Sequence, residues 1–204
     1  MNTIKLIGTV KEKPKFSHEV LGAKFYEFVL ETKRKSETSD ILMCFAPELL
    51  INNIEENSRI ELNGEIRTRN IDGDNGKRKL IIQVFCQSIE LTNKKEDTNE
   101  VNVLGFVCKK PNFRTTSTNR EIAETMIASN RERSNRADYI PIITWSRNAH
   151  RICELNVGQE LNMLGRLQSR VYKKLENGLE EYKTAYELSV SSFSVIESEE
   201  WYEF

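Results

Sequence analysis

The chain has 204 residues, of which 38% are hydrophobic and 30% are charged, and its 30 Lys and Arg side chains nearly cancel its 31 Asp and Glu side chains. This balance excludes a uniformly basic, histone-like protein and an acidic disordered chain. No apolar run approaches the length of about 18 residues that a transmembrane helix needs, and the N-terminus lacks the apolar stretch of a signal peptide, so we expect a cytoplasmic protein of one or two domains.

The cysteines and histidines of the chain give no indication of a metal site. Cys44, Cys86, Cys108 and Cys153 are scattered without a CxxC pair, so we expect reduced and mostly buried thiols. His18 and His150 have no Cys or carboxylate at ligand spacing, and we expect both to be solvated. There is also no glycine loop for phosphate and no nucleophile–base motif. We therefore expect no enzyme activity and no metal or cofactor.

The sequence contains the same domain twice. Residues 2–34 align with residues 99–131 without a gap at an offset of 97, so that Arg34 falls on Arg131. After small slips, which loops absorb, Gly64-Glu65-Ile66-Arg67-Thr68-Arg69 matches Gly165-Arg166-Leu167-Gln168-Ser169-Arg170. We predict three parts of the chain: a first domain over residues 1–92, a second over residues 99–196, and an acidic tail over residues 197–204.

Alternating apolar residues predict three strands at the start of each copy. In the second copy, residues 101–104 alternate and lead into a glycine, and residues 139–145 form the third strand. Residues 121–129, which lie between them, fit either a strand or a helix. We favour a strand, because the matching residues 25–29 of the first copy are β-prone.

One short helix and two further strands complete each copy. Apolar residues share one face of a helix predicted over residues 146–155, and residues 47–56 are its counterpart in the first copy. A fourth strand over residues 159–172, a hairpin turn and a fifth strand follow. Three strands, a helix and two strands in about 95 residues is the order of the OB fold, so we predict an all-β protein of two tandem five-stranded barrels.

The fourth strand of the second copy presents arginine on one of its two faces. Alternation assigns to the core Leu161, Met163, Leu167 and Val171. The opposite, exposed face carries Arg166, Gln168, Arg170 and Tyr172. Cations that contact phosphates, together with an aromatic ring on which a base stacks, favour single-stranded nucleic acid as the ligand.

Two further aromatic residues are expected near that face. Tyr139 and Trp145 share one face of the third strand, so we expect them on the same open surface. A core position is the alternative for each strand aromatic, and plain solvation is the alternative for the arginines. The loop over residues 130–138 contains three arginines and is either an ordinary polar loop or a mobile clamp over a phosphate backbone.

Four segments of the second half form a more specific pattern. They are Gly105-x5-Pro111-x2-Arg114, Asn130-Arg131, Ile142-Ile143-Thr144-Trp145-Ser146-Arg147-Asn148-Ala149, and Val157-Gly158-Gln159-Glu160-Leu161-Asn162-Met163-Leu164-Gly165-Arg166-Leu167-Gln168-Ser169-Arg170-Val171-Tyr172. With these segments the second half resembles the bacterial single-stranded DNA-binding proteins, the SSB family, over residues 99–196. The first half resembles the family more weakly over residues 2–90.

The resemblance implies which residues contact DNA. Family members stack bases on aromatics at both ends of the third strand and after the fourth, and here these positions are Tyr139, Trp145 and Tyr172. We expect phosphate contacts from Arg114, Arg131, Arg147, Arg166 and Arg170, and Gln168 as a further nucleic-acid-binding residue. The implied function is to coat single-stranded DNA without strong sequence preference in replication, recombination or repair. Members commonly combine four barrels, so a chain with two barrels implies a homodimer.

The first half departs from this pattern. The positions that match the three aromatics hold Ile41, Pro47 and Ile71, and Glu65 stands where the second half has Arg166. We therefore expect the first barrel to have lost strong stacking. It would bind DNA weakly through Lys and Arg or serve as an assembly surface.

The C-terminal tail resembles the acidic tip with a terminal Phe that recruits partner proteins in this family. Its candidate partner-binding residues are Glu199, Glu200, Trp201, Tyr202 and Phe204. The tail contains four acidic residues and no basic one, whereas residues 99–196 contain 14 basic and 11 acidic residues. The alternative for Trp201 and Tyr202 is packing on the second barrel.

Two other functions remain open from the sequence. One is an adaptor, in which the barrels bind proteins in a replication or mobile-element complex. The other is an OB-fold protein that binds RNA, because base stacking does not distinguish the two sugars.

Overall fold

The computed structural model describes residues 1–36, 38–72, 76, 78–132, 134–176 and 179–197, and in them two groups of six strands follow one another. The first group is β1 (Asn2–Val10), β2 (Lys15–Val20), β3 (Ala23–Lys33), β4 (Ser39–Pro47), β5 (Arg59–Asp72) and β6 (Arg78–Leu91). The second group is β7 (Thr98–Val107), β8 (Asn112–Thr115), β9 (Glu121–Asn130), β10 (Ala137–Trp145), β11 (Glu160–Glu176) and β12 (Leu179–Ile196). The helix α1 (Arg147–Cys153) lies between β10 and β11.

Each group closes into a five-stranded barrel. In the first barrel the hydrogen-bonded order β1-β5-β6-β4-β3 returns to β1, where Thr9 lies opposite Glu31. In the second barrel the order β7-β11-β12-β10-β9 returns to β7, where Phe106 lies opposite Ala128. Strands β2 and β8, which the alternation did not predict, pair with β3 and β9 outside these rings. The predicted all-β architecture of two tandem OB barrels is confirmed.

Period-two alternation predicted three of the four core residues of β11 correctly. Leu161, Met163 and Leu167 of β11 are buried, as the alternation requires. Val171, which was also predicted to lie in the core, is 65% exposed. This prediction is wrong because β7 pairs with β11 only as far as Gly165, so the end of β11 extends beyond the barrel as a hairpin with β12.

A helix is present in the second barrel, but the helix predicted for the first barrel is wrong. Helix α1 buries Ala149 and Ile152. Among its described residues the first barrel has only a 3₁₀ turn, Glu48–Leu50, in which no residue is fully buried. Two asparagines follow in a turn at residues 52–53, and Asn competes with helix formation through local side-chain hydrogen bonds.

The residues that fitted either a strand or a helix form a strand. Strand β9 pairs antiparallel with β10 from Ala137 opposite Asn130 to Trp145 opposite Ile122. The β-prone sequence of the first copy was therefore a better guide than the helical pattern of the second.

The two barrels share one sheet. Strand β1 pairs antiparallel with β7, from Asn2 opposite Val103 to Ile7 opposite Thr98. Because β1 and β7 are matching strands of the duplicated domain, the pairing relates the barrels by an approximate two-fold axis. The result is a continuous sheet of 12 strands.

A buried ion pair of the second barrel reaches across to the first. The Asp138 carboxylate is fully buried and accepts hydrogen bonds from Arg131 Nε at 2.9 Å and Arg131 Nη2 at 2.7 Å. It also accepts the backbone N–H of Thr68 at 2.6 Å, and Arg131 donates to the Thr68 carbonyl at 3.0 Å. Two barrels are thereby joined through backbone groups that would otherwise lack partners.

The matching residues of the first barrel repeat these bonds. Asp40 accepts Arg34 Nη2 at 2.6 Å and the backbone N–H of Ser169 at 2.9 Å, and Arg34 donates to the Ser169 carbonyl at 3.4 Å. We call the two sets together the inter-barrel clasp, which consists of Arg34, Asp40, Thr68, Arg131, Asp138 and Ser169. The clasp holds β5 and β11 against the partner barrel at equivalent points.

A methyl group added at Gly165 is expected to destabilise the second barrel by about 1–3 kcal/mol. Gly165 lies where the β11–β12 register shifts, and an added Cβ would overlap the carbonyl of Ser189. The free energy of unfolding of Gly165→Ala in denaturant measures this cost. Ser192→Ala, at an exposed site on β12, is the control and is expected to change it by less than about 0.5 kcal/mol. Equal stability of the two variants would contradict the close approach.

Candidate nucleic-acid interface

Three aromatic side chains lie on the outside of the second barrel. Tyr139 on β10 is 46% exposed and Tyr172 on β11 is 37% exposed. Trp145, at the end of β10, is half-buried, and its indole Nε1 donates to Ser189 Oγ at 3.3 Å. Strand β12 lies between β10 and β11, so the three rings flank it on both sides. None of the three is a core residue, which was the alternative for each.

Tyr139 is positioned by the first barrel. Its backbone N–H donates to Thr68 Oγ1 at 2.8 Å, next to the inter-barrel clasp. Asp138, the residue before it, is fixed by Arg131. A stacking surface on the second barrel therefore depends on contacts with the first.

The face of β11 that carries the arginines is less exposed than predicted. Gln168 is only 6% exposed and donates to Glu187 Oε1 at 2.7 Å, while Arg166 Nη2 donates to Gln168 Oε1 at 3.1 Å. The prediction of an exposed Gln168 is wrong, because its polar ends are occupied by Arg166 and by Glu187 on β12. Gln168 instead holds the Arg166 side chain in place.

Arg166 lies at the junction of the two barrels. Its Nε is 4.0 Å from Asp40 Oδ2 and has no hydrogen-bond partner among the described residues. Burial and the nearby Arg34 guanidinium lower the pKa of Arg166 below its ordinary value. The group remains a cation because an arginine pKa is far above neutral. A cation that lacks full compensation is an anion-binding candidate.

The other predicted phosphate contacts lie in different environments. Arg170 is exposed. Its Cζ lies 5.7 Å from the Tyr172 ring centroid, and its Nε lies 3.9 Å from Glu187 Oε1. Arg114 forms a bidentate pair with Glu124, at 2.7 and 3.1 Å. Arg147, in the first turn of α1, is exposed and forms no ion pair with the residues that the structure describes.

Arg131 was predicted to contact phosphate, but it does not lie at a position where it could do so. Its guanidinium belongs to the inter-barrel clasp and is mostly buried, with 22% of its side chain exposed. A mobile clamp over DNA would need this side chain free, so that interpretation is wrong for Arg131.

Beside Trp145 the surface is concave. A groove of about 490 Å³ is lined by Trp145, Asn148, Arg166, Ser189 and other residues. Asn148 is fixed there by a hydrogen bond from Nδ2 to the Ser191 carbonyl at 2.9 Å. An aromatic ring and a guanidinium therefore border the same cavity, as stacking and phosphate binding require.

On the first barrel, sequence analysis missed a set of aromatic residues. Phe25, Phe45 and Phe85 lie half-buried on the outer face of β3, β4 and β6. His18 is exposed, as predicted, and stacks on Phe25 with 5.1 Å between ring centroids. The readable signal was the alternation of Phe45 between the core residues Cys44 and Ala46, which directs it outward.

No metal-binding or membrane-spanning element is found in the described part of the chain. No group of three His, Cys, Asp or Glu side chains is arranged to hold a metal ion there. Within the same residues no helix is long and apolar enough to cross a membrane. His150 contacts Glu121 at 2.8 Å, a single exposed pair. The predicted partner-binding residues of the tail, from Glu199 to Phe204, lie outside the described residues.

Comparisons with known proteins agree with this architecture. Residues 98–196 match the model of the Single-strand binding protein family. A protein of Listeria innocua named Single-stranded DNA-binding protein 3 is 23% identical over 107 residues, which cover 48% of this chain and 67% of that protein. The family match thus covers the same half of the chain that carried the sequence motifs.

Solved structures extend the likeness to both barrels. The wild-type single-stranded DNA binding protein from Thermus aquaticus superposes with a TM-score of 0.78 at 18% identity, over 97% of this chain and 94% of its own. A deletion variant of the same protein also superposes with a TM-score of 0.78, at 19% identity, over 100% of this chain and 98% of its own. At this identity the match shows the fold. The chain therefore has the fold of two tandem OB barrels, and its second barrel, residues 98–196, matches the Single-strand binding protein family.

Proposed function

We propose that this chain binds single-stranded DNA without strong sequence preference and covers it during replication, recombination or repair. The observation that carries the proposal is the set of three outward aromatics, Tyr139, Trp145 and Tyr172, beside exposed arginines on the second barrel. Each base has a π-face, so stacking on these rings accepts any sequence. The family match and the name of the Listeria relative support the same ligand.

We assign the polar residues different tasks. Arg147, Arg166 and Arg170 contact phosphates, since they border the aromatics and retain exposed surface. Arg114 joins them when DNA displaces its exposed pair with Glu124. Gln168 and Arg131 are positioning residues, because their side chains are committed to Arg166, Glu187 and the clasp. No bond is made or broken: the protein holds the strand extended and removes hairpins.

The affinity for single-stranded DNA is expected to fall with salt, and Arg147, Arg166 and Arg170 alone should contribute about −2 to the slope of log K against log salt concentration. Anisotropy of a labelled oligo-dT in a salt series measures it. Replacing Arg147 and Arg170 by Gln should remove about 1.4 from that slope at 0.7 per contact. Arg120→Gln, at an exposed position in the β8–β9 turn, is the control and should leave the slope unchanged. A salt-independent affinity would instead favour the adaptor function.

Oligo-dT and oligo-U of equal length separate DNA binding from RNA binding in the same assay. We expect oligo-dT to bind more tightly than oligo-U. Tighter binding of oligo-U would assign the surface to RNA and contradict the proposal.

We further infer that two chains associate, so that four barrels act together in the cytoplasm, where the free cysteines remain reduced. Residues 1–92 and 99–196 are the proposed domains, and the tail from Glu199 to Phe204 is the proposed contact for partner proteins. Light scattering should give twice the mass of one chain. A monomer with and without oligo-dT would contradict the dimer.

A further inference from the structure

The outer face of the first barrel carries a compact aromatic surface, formed by Phe25, Phe45 and Phe85. The ring centroids of Phe45 and Phe85 are 5.1 Å apart, and Phe25 lies 6.5 Å from each. All three rings are half-buried, and none of them belongs to the buried core. Aromatic residues at this separation form a continuous apolar platform.

Arginines surround this platform. Its cavity, of about 760 Å³, is lined by residues of both barrels, and its lining includes Arg67, Arg69, Arg131 and Arg136 but no carboxylate. Arg67 lies 6.0 Å from the Phe85 ring centroid and is paired with Asp138 at 3.0 Å. Arg69 and Arg136 are exposed and form no ion pair with the described residues. Glu27 and Glu65 lie opposite Phe45 and Phe85 in the strand pairing, and Glu65 is paired with Arg67. The positive charge available to an anionic ligand with aromatic groups is therefore that of Arg69 and Arg136.

The repeat shows how the two barrels differ here. In the register of the strands, Phe45 lies opposite Phe85, and the matching pair in the second barrel is Ile143 opposite Ser189. Ser189 is the residue to which the Trp145 indole is hydrogen-bonded. In the first barrel Pro47 replaces that Trp, and Phe85 brings an aromatic ring to the strand beside it. The second barrel thus carries its aromatic ring at the end of β10, whereas the first barrel carries one on β6, the strand beside β4.

We infer that the platform formed by Phe25, Phe45 and Phe85 is a second base-stacking site for single-stranded DNA, with Arg69 and Arg136 on the adjoining phosphates. This rests on the proposed function and extends it to the barrel that the sequence had predicted to lack strong stacking. The strand passes from the second barrel to the first across the clasp. Arg136, in the β9–β10 loop of the second barrel, belongs to the cavity on the first and marks that path.

The variant that tests the site takes its residues from the other half of the chain. Phe45→Ile with Phe85→Ser gives the first barrel the side chains of Ile143 and Ser189, which the same fold accepts. A second variant, Arg69→Gln with Arg136→Gln, changes only exposed side chains. Trp145→Ala with Tyr172→Ala is the matched variant of the second barrel. Unfolding midpoints establish that each variant is folded.

Affinity for a labelled oligo-dT long enough to span both barrels is measured for every variant. We expect Phe45→Ile with Phe85→Ser to weaken binding at least about fivefold, the lower limit for one stacked base. The Arg69→Gln, Arg136→Gln variant should lower the salt slope by about 1.4. Combined with Trp145→Ala and Tyr172→Ala, the Phe replacements should remove the residual binding.

The outcomes separate this inference from the proposed function. Unchanged affinity and salt slope in both first-barrel variants, with binding lost in the second-barrel variant, would overturn the inference and leave the proposed function intact. Absence of oligo-dT binding by the unaltered protein would overturn both. A fall in the mass of the DNA-free protein caused by the Phe replacements would assign the platform to a contact between copies and also overturn the inference.

Discussion

Replacing Trp145 and Tyr172 together by alanine is expected to weaken binding of oligo-dT by about 2–6 kcal/mol, which corresponds to about thirtyfold or more. Trp145 lies at the end of β10 and Tyr172 lies on the β11–β12 hairpin that extends from the barrel, and each ring offers a surface on which one base stacks. The loss is measured as the change in dissociation constant from anisotropy at constant salt. The single variant Trp145→Phe, which keeps an aromatic ring at this position, should retain most of the affinity of the unaltered protein.

Tyr182→Ala is the matched control for Tyr172→Ala. Both tyrosines lie on the β11–β12 hairpin, but Tyr172 is opposite Lys183 and Tyr182 is opposite Lys173, so the two rings lie on different faces. Tyr182 is 74% exposed, and its removal should change neither stability nor affinity appreciably. An equal loss of affinity in the two variants, or no loss in either, would contradict the assignment of the binding face.

Replacing Asp138 by alanine is expected to destabilise the protein by about 3–5 kcal/mol. The carboxylate is fully buried between two guanidinium groups, those of Arg131 and Arg67, and accepts the backbone N–H of Thr68. Its removal leaves Arg131 and this N–H without their main acceptor, and leaves Arg67 with its pair to Glu65 alone. The free energy of unfolding in denaturant measures the cost.

Asp40→Ala is expected to have an effect of similar size, because Asp40 makes the equivalent bonds to Arg34 and to the backbone N–H of Ser169. Glu124→Ala is the control, since its pair with Arg114 is solvent-exposed and should contribute less than about 1 kcal/mol. Loss of less than about 1 kcal/mol in both aspartate variants would show that the clasp does not hold the barrels together.

Much of the fold could be predicted because the chain repeats. Alternation alone was ambiguous at residues 121–129, and the matching residues of the first copy indicated the strand that the structure contains. The same comparison failed for the helix of the first barrel. A helix of this length depends on burial of its apolar face, and none of the three residues of the 3₁₀ turn after Pro47 is fully buried.

The binding face could be predicted only in part. Alternation places Tyr172 and Arg170 outward, and both are exposed. It cannot reveal that Glu187 covers Gln168, or that Arg131 is committed to Asp138, since both depend on strands that meet only in three dimensions.

The arginine-rich loop illustrates the same limit. The composition of the loop predicted that its arginines lie near DNA. The structure instead places Arg131 in the inter-barrel clasp and Arg136 on the surface. Arg131 holds the barrels together, whereas Arg136 remains exposed at the cavity of the first barrel. The platform formed by Phe25, Phe45 and Phe85 was missed because the family pattern directs attention to three other positions.

The most direct test of single-strand binding on the second barrel is tryptophan fluorescence in a Trp201→Phe variant, in which Trp145 is the sole emitter. The protein is titrated with oligo-dT and with duplex DNA of equal length at the same salt concentration. We predict saturable quenching with oligo-dT, at an affinity well above that for the duplex. Equal or tighter binding of the duplex, or tight binding of oligo-dT without any change in Trp145 emission, would contradict the account.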